Sequence, residues 1–450
     1  MRVERIYLRH VGPFNEATIT LPPPPQTGLA DVQLLTGPNG AGKSTLLYAI
    51  AGALTWNSRF GPDLCASRLR DSESVAVADL GPTAKVGIRA GMSGQLPAEL
   101  PDPLDDRLLG MQQGGGHVGY YLWTSDNDFS NYRNRAFSFS AKTPPESRPR
   151  FSWAAFAYAG LRDVSEVQIE APSEPGDNPF ENSLSFIHTA DTKRLAQWVA
   201  NQDFKRLKAK EAGLAETAEQ LQRTIRQMEG IISEITGIAF AFVTTYEDNN
   251  VRVQINGKVV PLGLMPDGLK SIVSWIADLL MRLDRIPWID DIPPLERQFL
   301  LLLDEVDIHL HPSWQRRVLP IVQRMFPNAQ IIASTHSPFV ICSLNHGWVH
   351  SLKVNADGVA TAREPLPACE GDSYISVLEE IMEVPEWYDP ETEDLLAKFR
   401  QFRDAAYRGD PAAEPSARGI AEQIAARGSE LRFMIGRELS QMDKQLRQPA

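Results

Sequence analysis

Cysteine is scarce in this chain. The three cysteines, Cys65, Cys342 and Cys369, lie far apart, form no CxxC pair and are odd in number. That argues against a disulfide framework and a cysteine zinc knuckle, and it points to a reducing cytoplasm. Long apolar runs are missing as well. No segment approaches the ~18 uninterrupted apolar residues of a membrane span, and the opening MRVERIYLRH carries charges where a secretory leader needs an apolar stretch. The expectation is a cytoplasmic protein with no membrane partner. Positive charge is in deficit, with 45 Lys and Arg against 57 Asp and Glu and a net charge of −12. The charge argues against a histone-like binder, and any contact with nucleic acid must use a local basic patch. No internal repeat is evident.

What is present suffices for a large core: 43% of the 450 residues are hydrophobic, which as a soft prior gives about two to three domains. Residues 2–9 and 18–21 alternate apolar and polar about a GPFNEA turn and predict a hairpin. Residues 32–35 form a short apolar strand that runs into GPNGAGKST, after which 45–54 has helical character. Between about 90 and 120, Pro97, Pro101, Pro103, Gly114, Gly115 and Gly116 predict a surface loop. Over 132–153 aromatics alternate with Arg133, Arg135, Lys142, Arg148 and Arg150. Such a mix can stack on bases and hold phosphates; the plainer reading is an exposed strand and loop.

Residues 204–235 read as one helix with a heptad seam, Leu207, Leu214, Leu221, Met228 and Ile235 standing seven apart. Thirty-two residues at 1.5 Å each give a short arm of roughly 48 Å. Its first half carries Lys205, Arg206, Lys208, Lys210, Arg223 and Arg226, either a basic contact surface or a solvated helix face. Residues 299–303 and 330–333 are continuous apolar runs of the buried parallel kind, ending at Asp304-Glu305 and at STHSP. Beyond about 354 the chain turns helical, over 373–383, 390–409 and 416–446, and 379–394 has eight acidic residues and no basic one. We read an α/β head over 1–350, interrupted by the arm at about 204–235, and a helical appendage over 354–450.

The chemistry gathers at three places. Gly37-Pro38-Asn39-Gly40-Ala41-Gly42-Lys43-Ser44 fits G-x-x-x-x-G-K-[ST] and lies between a predicted strand and helix, followed by Thr45. Glycines let backbone N–H groups face phosphates, the helix start adds positive potential, Lys43 reaches the β and γ oxygens, and Ser44 ligates Mg²⁺. ATP and Mg²⁺ are therefore the expected cofactors. Asp304, ending the LLLLD run, is the metal-side carboxylate, and Glu305 is placed to orient attacking water. His336 in STHSP is a candidate donor to the γ-phosphate, or else a capping histidine. His309 and His311 are spaced like metal ligands but lack the further cluster that zinc needs.

Together GPNGAGKST, LLLLDEVDIHLHPSWQ and STHSP resemble the ATPases of the ABC/SMC class, and specifically its stand-alone bacterial branch related to RecF and the OLD nucleases. The resemblance implies a P-loop head of the ABC type, a mixed sheet flanked by helices, in which two heads sandwich two ATP molecules. Each site is then completed by an LSGGQ-like loop of the other copy. Here the matching segment is Leu264-Met265-Pro266-Asp267-Gly268, with Gly268 kept and Pro266 in place of the family's serine. Gln168 is the candidate for the family's Q-loop glutamine. The C-terminal stretch resembles the helical tails of anti-phage defence ATPases of the PtuA and AriA types. No TOPRIM nuclease pattern follows the head, so a separate nuclease or toxin is implied as effector. The alternatives are a RecF-like DNA-repair ATPase, a nucleotide-gated scaffold with little turnover and, third, a transporter subunit.

Overall fold

The structure is a computed structural model. It describes residues 1–55, 65, 67–90, 96, 105–111, 117–140, 142–160, 178–186, 188–245, 250–368, 371 and 373–446. Gln168 and Cys369 lie outside the described residues.

The chain opens with the expected hairpin. β1 (Arg5–Val11) and β2 (Phe14–Thr20) pair antiparallel across a Gly12-Pro13 turn, Ile6 opposite Ile19. β3 (Asp31–Thr36) is buried at all six residues and leads through the glycine loop into α1 (Lys43–Leu54). β4 (Val75–Asp79), β5 (Ala84–Ala90), β6 (Asp105–Met111) and β7 (His117–Thr124) extend the hairpin into an antiparallel sheet of order β2-β1-β4-β5-β7-β6. The stretch read as a loop between about 90 and 120 thus contains β6 and the start of β7. Among the described residues β6 pairs with β7 alone, and its DDRLLGM sequence has no alternation to announce it.

α2 (Asn127–Arg135) follows, capped by the Asp126 carboxylate, and then β8 (Ala154–Tyr158). Here the exposed-strand reading of 132–153 fails, and so does the stacking surface. Tyr132, Phe151, Trp153 and Phe180 are buried and meet edge to face, Tyr132 and Trp153 at 4.9 Å, and the Arg133 side chain is buried with them. A regular spacing of aromatics reads the same whether the rings face water or a core; here they make a core.

The single arm is likewise two helices, α3 (Thr192–Glu211) and α4 (Ala215–Thr236), packed as a hairpin. The break falls at Ala212-Gly213-Leu214, where Gly213 takes φ +73° and Leu214, an expected seam residue, is 55% exposed. Met228, Ile232 and Ile235 in the second half are buried against the head. β9 (Phe240–Thr245), β10 (Asn250–Ile255) and β11 (Lys258–Pro261) form a small antiparallel sheet beside the hairpin. α5 (Asp267–Arg285) is buried along most of its length.

β12 (Phe299–Leu303), α6 (Pro312–Met325), β13 (Gln330–Ser334), the single turn α7 (Pro338–Ile341), β14 (Trp348–Val354), β15 (Ala360–Ala362) and β16 (Leu366–Pro367) complete the head. Its central sheet runs β15-β14-β3-β13-β12-β8, with β14, β3, β13, β12 and β8 parallel. Parallel strands buried on both faces explain the uninterrupted FLLLL and QIIAS runs. The sheet continues past residue 354, and the chain divides into Met1–Val377 and Leu378–Ala450. The second unit holds α8 (Pro390–Tyr407), α9 (Ala413–Arg427) and α10 (Ser429–Leu446), around Leu396, Phe399, Ile424, Leu431 and Ile435. The helix expected over 416–446 is interrupted at Gly428. Among the described residues no helix is long and apolar enough to cross a membrane.

Candidate nucleotide site

Three neighbouring parallel strands deliver the site at their C-terminal ends: β3 the glycine loop, β12 Asp304 and Glu305, β13 Ser334 and the turn to His336. Gly37, Gly40 and Gly42 take φ of +137°, +81° and +95°, conformations that favour glycine. At Gly37 a Cβ would stand 2.2 Å from the Leu352 carbonyl oxygen of β14, and at Gly42 one would stand 2.3 Å from the Phe14 ring. The loop is therefore wedged between β14 and the β1–β2 turn. Gly37→Ala is expected to lower affinity for a fluorescent ATP analogue at least about tenfold, read by titration, because strain of about 1–3 kcal/mol would distort the loop.

Lys43 crosses the loop, its Nζ donating to the carbonyls of Gly37 (2.8 Å) and Pro38 (3.0 Å). Burial pulls its pKa down, against the carboxylates of Asp304, Glu305 and Asp307. Ser44 Oγ donates to Asp304 Oδ1 at 3.1 Å, across 260 residues of sequence. Ser334 Oγ donates to the same oxygen at 2.6 Å and accepts from the Glu305 N–H at 2.7 Å, which fixes both acids to β13. Tyr48 of α1 reaches the other Asp304 oxygen at 3.4 Å, and burial beside that carboxylate pushes its hydroxyl up to about 12.

Glu305 takes φ +50°, an uncommon conformation for a non-glycine residue. Its side chain lies over Gly160, where a Cβ would stand 2.7 Å from Glu305 Cβ. Asp307 accepts from Thr335 Oγ1 at 2.6 Å and from the His336 N–H at 3.3 Å, and Gln315 of α6 accepts from Ser337 Oγ at 2.7 Å. The whole STHSP turn is tied to the acids in this way. Burial and Lys43 both lower the His336 pKa, so the ring is neutral at pH 7.

One pocket of about 190 Å³ brings Asn39, Gly40, Gly42, Lys43, Ser44, Thr45, Glu305 and His336 together. Gly37, Pro38 and buried Ala41 complete the loop behind it. Arg68 also lines the pocket, donating to Thr45 Oγ1 at 3.1 Å with its guanidinium 5.3 Å from the Tyr48 ring centre. Sequence reading missed Arg68, Tyr48, Ser334 and Asp307. For Ser334 the STHSP motif was a usable signal; for Arg68 none was. Gly268 is not in this pocket. It opens α5 behind Pro266, where a Cβ would meet the His309 carbonyl oxygen at 2.6 Å. His311 caps α6, its Nδ1 accepting from the Ser313 N–H.

The chain matches, over residues 34–342, the family described as "AAA domain, putative AbiEii toxin, Type IV TA system", and over residues 1–56 a second described as "AAA domain". It belongs to this AAA-domain family. Among curated proteins it is similar to the "Septu protein PtuA" of Bacillus mycoides, 30% identical over 345 residues, covering 75% of this chain and 38% of that protein. It is also similar to the "Retron Ec83 probable ATPase" of Escherichia coli, 37% identical over 89 residues, covering 20% of this chain and 16% of that protein. The "Retron Vc95 probable ATPase" of Vibrio cholerae is 27% identical over 158 residues, covering 34% of this chain and 29% of that protein. The chain spans well under half the length of these relatives. A solved head domain, the "SmcHead bound to the C-winged helix domain of ScpA", aligns at 14% identity and a TM-score of 0.45, covering 82% of this chain and 98% of that one. The motif resemblance to PtuA-type ATPases thus has its counterpart in the sequence relatives. The AAA-domain head has the α/β architecture expected of it, a mixed sheet flanked by helices.

Proposed function

We propose that this AAA-domain chain binds ATP with Mg²⁺, hydrolyses it, and uses the nucleotide state of paired heads to control a separate effector, a nuclease or toxin, in bacterial defence against phage. The observation that carries the reading is the 3.1 Å approach of Ser44 Oγ to Asp304 Oδ1 in a pocket that also holds Lys43 and Glu305. One hydroxyl and one carboxylate fit Mg²⁺, which takes few protein ligands and fills its other positions with phosphate oxygens and water. Bound there between Ser44 and Asp304, the ion would neutralise charge on the β- and γ-phosphates.

The protein's own groups do the rest. Backbone N–H groups of Gly40, Gly42, Lys43, Ser44 and Thr45 would face the phosphates, while the Ala41 N–H donates to the Pro38 carbonyl and closes the loop, and Lys43 would exchange its loop carbonyls for phosphate oxygens. Glu305 accepts a hydrogen bond from water and holds it in line with the terminal phosphate. Neutral His336 donates to the γ-phosphate from the far side. Gly268 would serve the nucleotide of a second copy, presented by the start of α5. The burial of Tyr132, Phe151 and Trp153 removes the aromatic platform that a DNA-repair reading needs over 132–153.

Phosphate release by the purified chain tests the reading directly. Turnover is expected with Mg²⁺ and is expected to vanish with excess EDTA; turnover that persists in EDTA would overturn the metal assignment. Pro266→Ser tests the second copy's part. Serine is also a good N-cap for α5, so folding is preserved while a hydroxyl donor is added. Turnover per head is expected to rise about three- to tenfold at protein concentrations where heads pair, and an unchanged rate would place this loop away from the γ-phosphate.

A further inference from the structure

Glu305 stands where the central sheet gives way to the site. The Asp304 N–H donates to the Tyr158 carbonyl of β8 at 2.9 Å, and the Val306 N–H donates to the Ser334 carbonyl of β13 at 3.0 Å. The Glu305 N–H between them goes instead to a side chain, the Ser334 hydroxyl, at 2.7 Å. This bond holds Glu305 from the β13 side at φ +50°, a conformation that a glutamate keeps only where its surroundings impose it. Ser334 is fully buried, and a hydroxyl has one proton and two lone pairs. The proton goes to Asp304 Oδ1 at 2.6 Å and a lone pair receives the Glu305 N–H. Alanine in its place would supply neither.

The β8 side holds Glu305 by shape. Gly160, two residues beyond the end of β8, is buried, and a Cβ there would stand 2.7 Å from Glu305 Cβ, 2.8 Å from Glu305 Oε2 and 3.2 Å from Ile308 Cγ2. A glutamate Cβ follows its own backbone, so no change of rotamer could relieve the first of these contacts. Gly160 is outside the left-handed region, so alanine at that position adds a methyl group without straining the backbone.

We propose that Ser334 and Gly160 are positioning residues for Glu305, gripping it from the two strands that flank β12, so that its carboxylate is in place before nucleotide arrives. The proposal rests on the reading of Glu305 as the group that holds the attacking water. Neither residue lines the pocket that holds Lys43, Ser44 and His336, so each acts through Glu305. Fixing the group in advance removes the cost of ordering it during the reaction. The glycine loop is untouched by either contact, and Ser44 still donates to Asp304 when Ser334 does not. Loss of the grip therefore slows turnover and spares binding.

The test is phosphate release in a single turnover, beside titration of a fluorescent ATP analogue and the melting temperature, for Ser334→Ala and Gly160→Ala, each alone and combined with Glu305→Gln. Each single variant is expected to lower turnover at least about tenfold while affinity for the analogue stays within about threefold of wild type. In the Glu305→Gln background neither is expected to slow release by more than about a further twofold, since the carboxylate they position is already gone. Losses that multiply in that background overturn the proposal, because the two residues would then act on something other than Glu305. So does turnover within about twofold of wild type in both single variants, or an affinity that falls as far as turnover does. Glu305→Gln that itself turns over like wild type overturns instead the reading of Glu305 on which the grip rests. The two variants disturb different strand ends, so if melting shows one of them unfolded the other still decides.

Discussion

Glu305→Gln is expected to lower steady-state ATP turnover by at least about 10²-fold while leaving ATP binding within about threefold of wild type. Glutamine keeps the length and shape of the side chain that lies over Gly160, and the backbone at φ +50° is held by the Glu305 N–H bond to Ser334 Oγ. What is lost is a negatively charged acceptor for the attacking water. Lys43, Ser44 and Asp304 remain in place, so nucleotide still enters. If paired heads close on ATP, the variant should accumulate a larger ATP-bound assembly, read by light scattering with phosphate release measured in parallel. Turnover above about half of wild type would show that Glu305 does not handle the water. Asp304→Asn separates the two acids. It should weaken nucleotide binding and its dependence on Mg²⁺, because Asp304 receives both Ser44 and Ser334.

The parts of the site that are contiguous in sequence were legible in it. GPNGAGKST carries its glycines, lysine and serine within nine residues, and the structure needs positive φ at Gly37, Gly40 and Gly42. The apolar runs ending at Asp304 and at STHSP became adjacent parallel strands, as continuous burial on both faces requires. Arg68 and Tyr48 join the site only when α1 and the segment around Arg68 meet the end of β12, and no local pattern marks such meetings; Ser334 lies within the STHSP motif that the sequence did show. Elsewhere periodicity marked ordered segments without settling what is buried: Leu214 of the heptad seam is exposed, and the aromatics over 132–153 are not. The heptad spacing over 204–235 reflects α4 packing on the head, and it does not sense the turn at Gly213. The alternation over 132–153 recorded an aromatic core, since spacing alone does not say which side of a ring faces water. Charge had the same ambiguity: Arg133 is buried, while Arg135, Lys142 and Arg150 of the same stretch are exposed.

Arg282→Met is expected to cost about 3–5 kcal/mol of stability, seen as a lower melting temperature of the head. Arg282 and Asp278 sit one turn apart on α5, both about 1% exposed, with Nε donating to Asp278 Oδ2 at 2.6 Å. The other guanidinium nitrogens donate to the carbonyls of Pro179, Glu181 and Thr189, and the Tyr158 hydroxyl donates to Asp278 at 2.9 Å. Removing the arginine leaves three carbonyls short of a donor and a buried carboxylate with one hydroxyl partner. Burial pushes the Asp278 carboxyl up, and the Arg282 guanidinium beside it opposes that rise. Without Arg282 the folded pKa should lie further above the unfolded one, so the variant takes up a proton on folding. Its stability is then greatest below the ordinary carboxylate range and falls as pH rises through the elevated value, making the deficit larger at pH 8 than at pH 5. Asp278→Leu with Arg282→Met removes both charges and should recover part of the loss. A single-variant loss below about 1 kcal/mol, or a deficit that does not grow with pH, would mean that the pair is not the anchor of α5. Because Pro266 and Gly268 open that same helix, and because the Asp304 N–H donates to the Tyr158 carbonyl at 2.9 Å, the pair ties α5 to the strand ends that carry Tyr158 and Asp304.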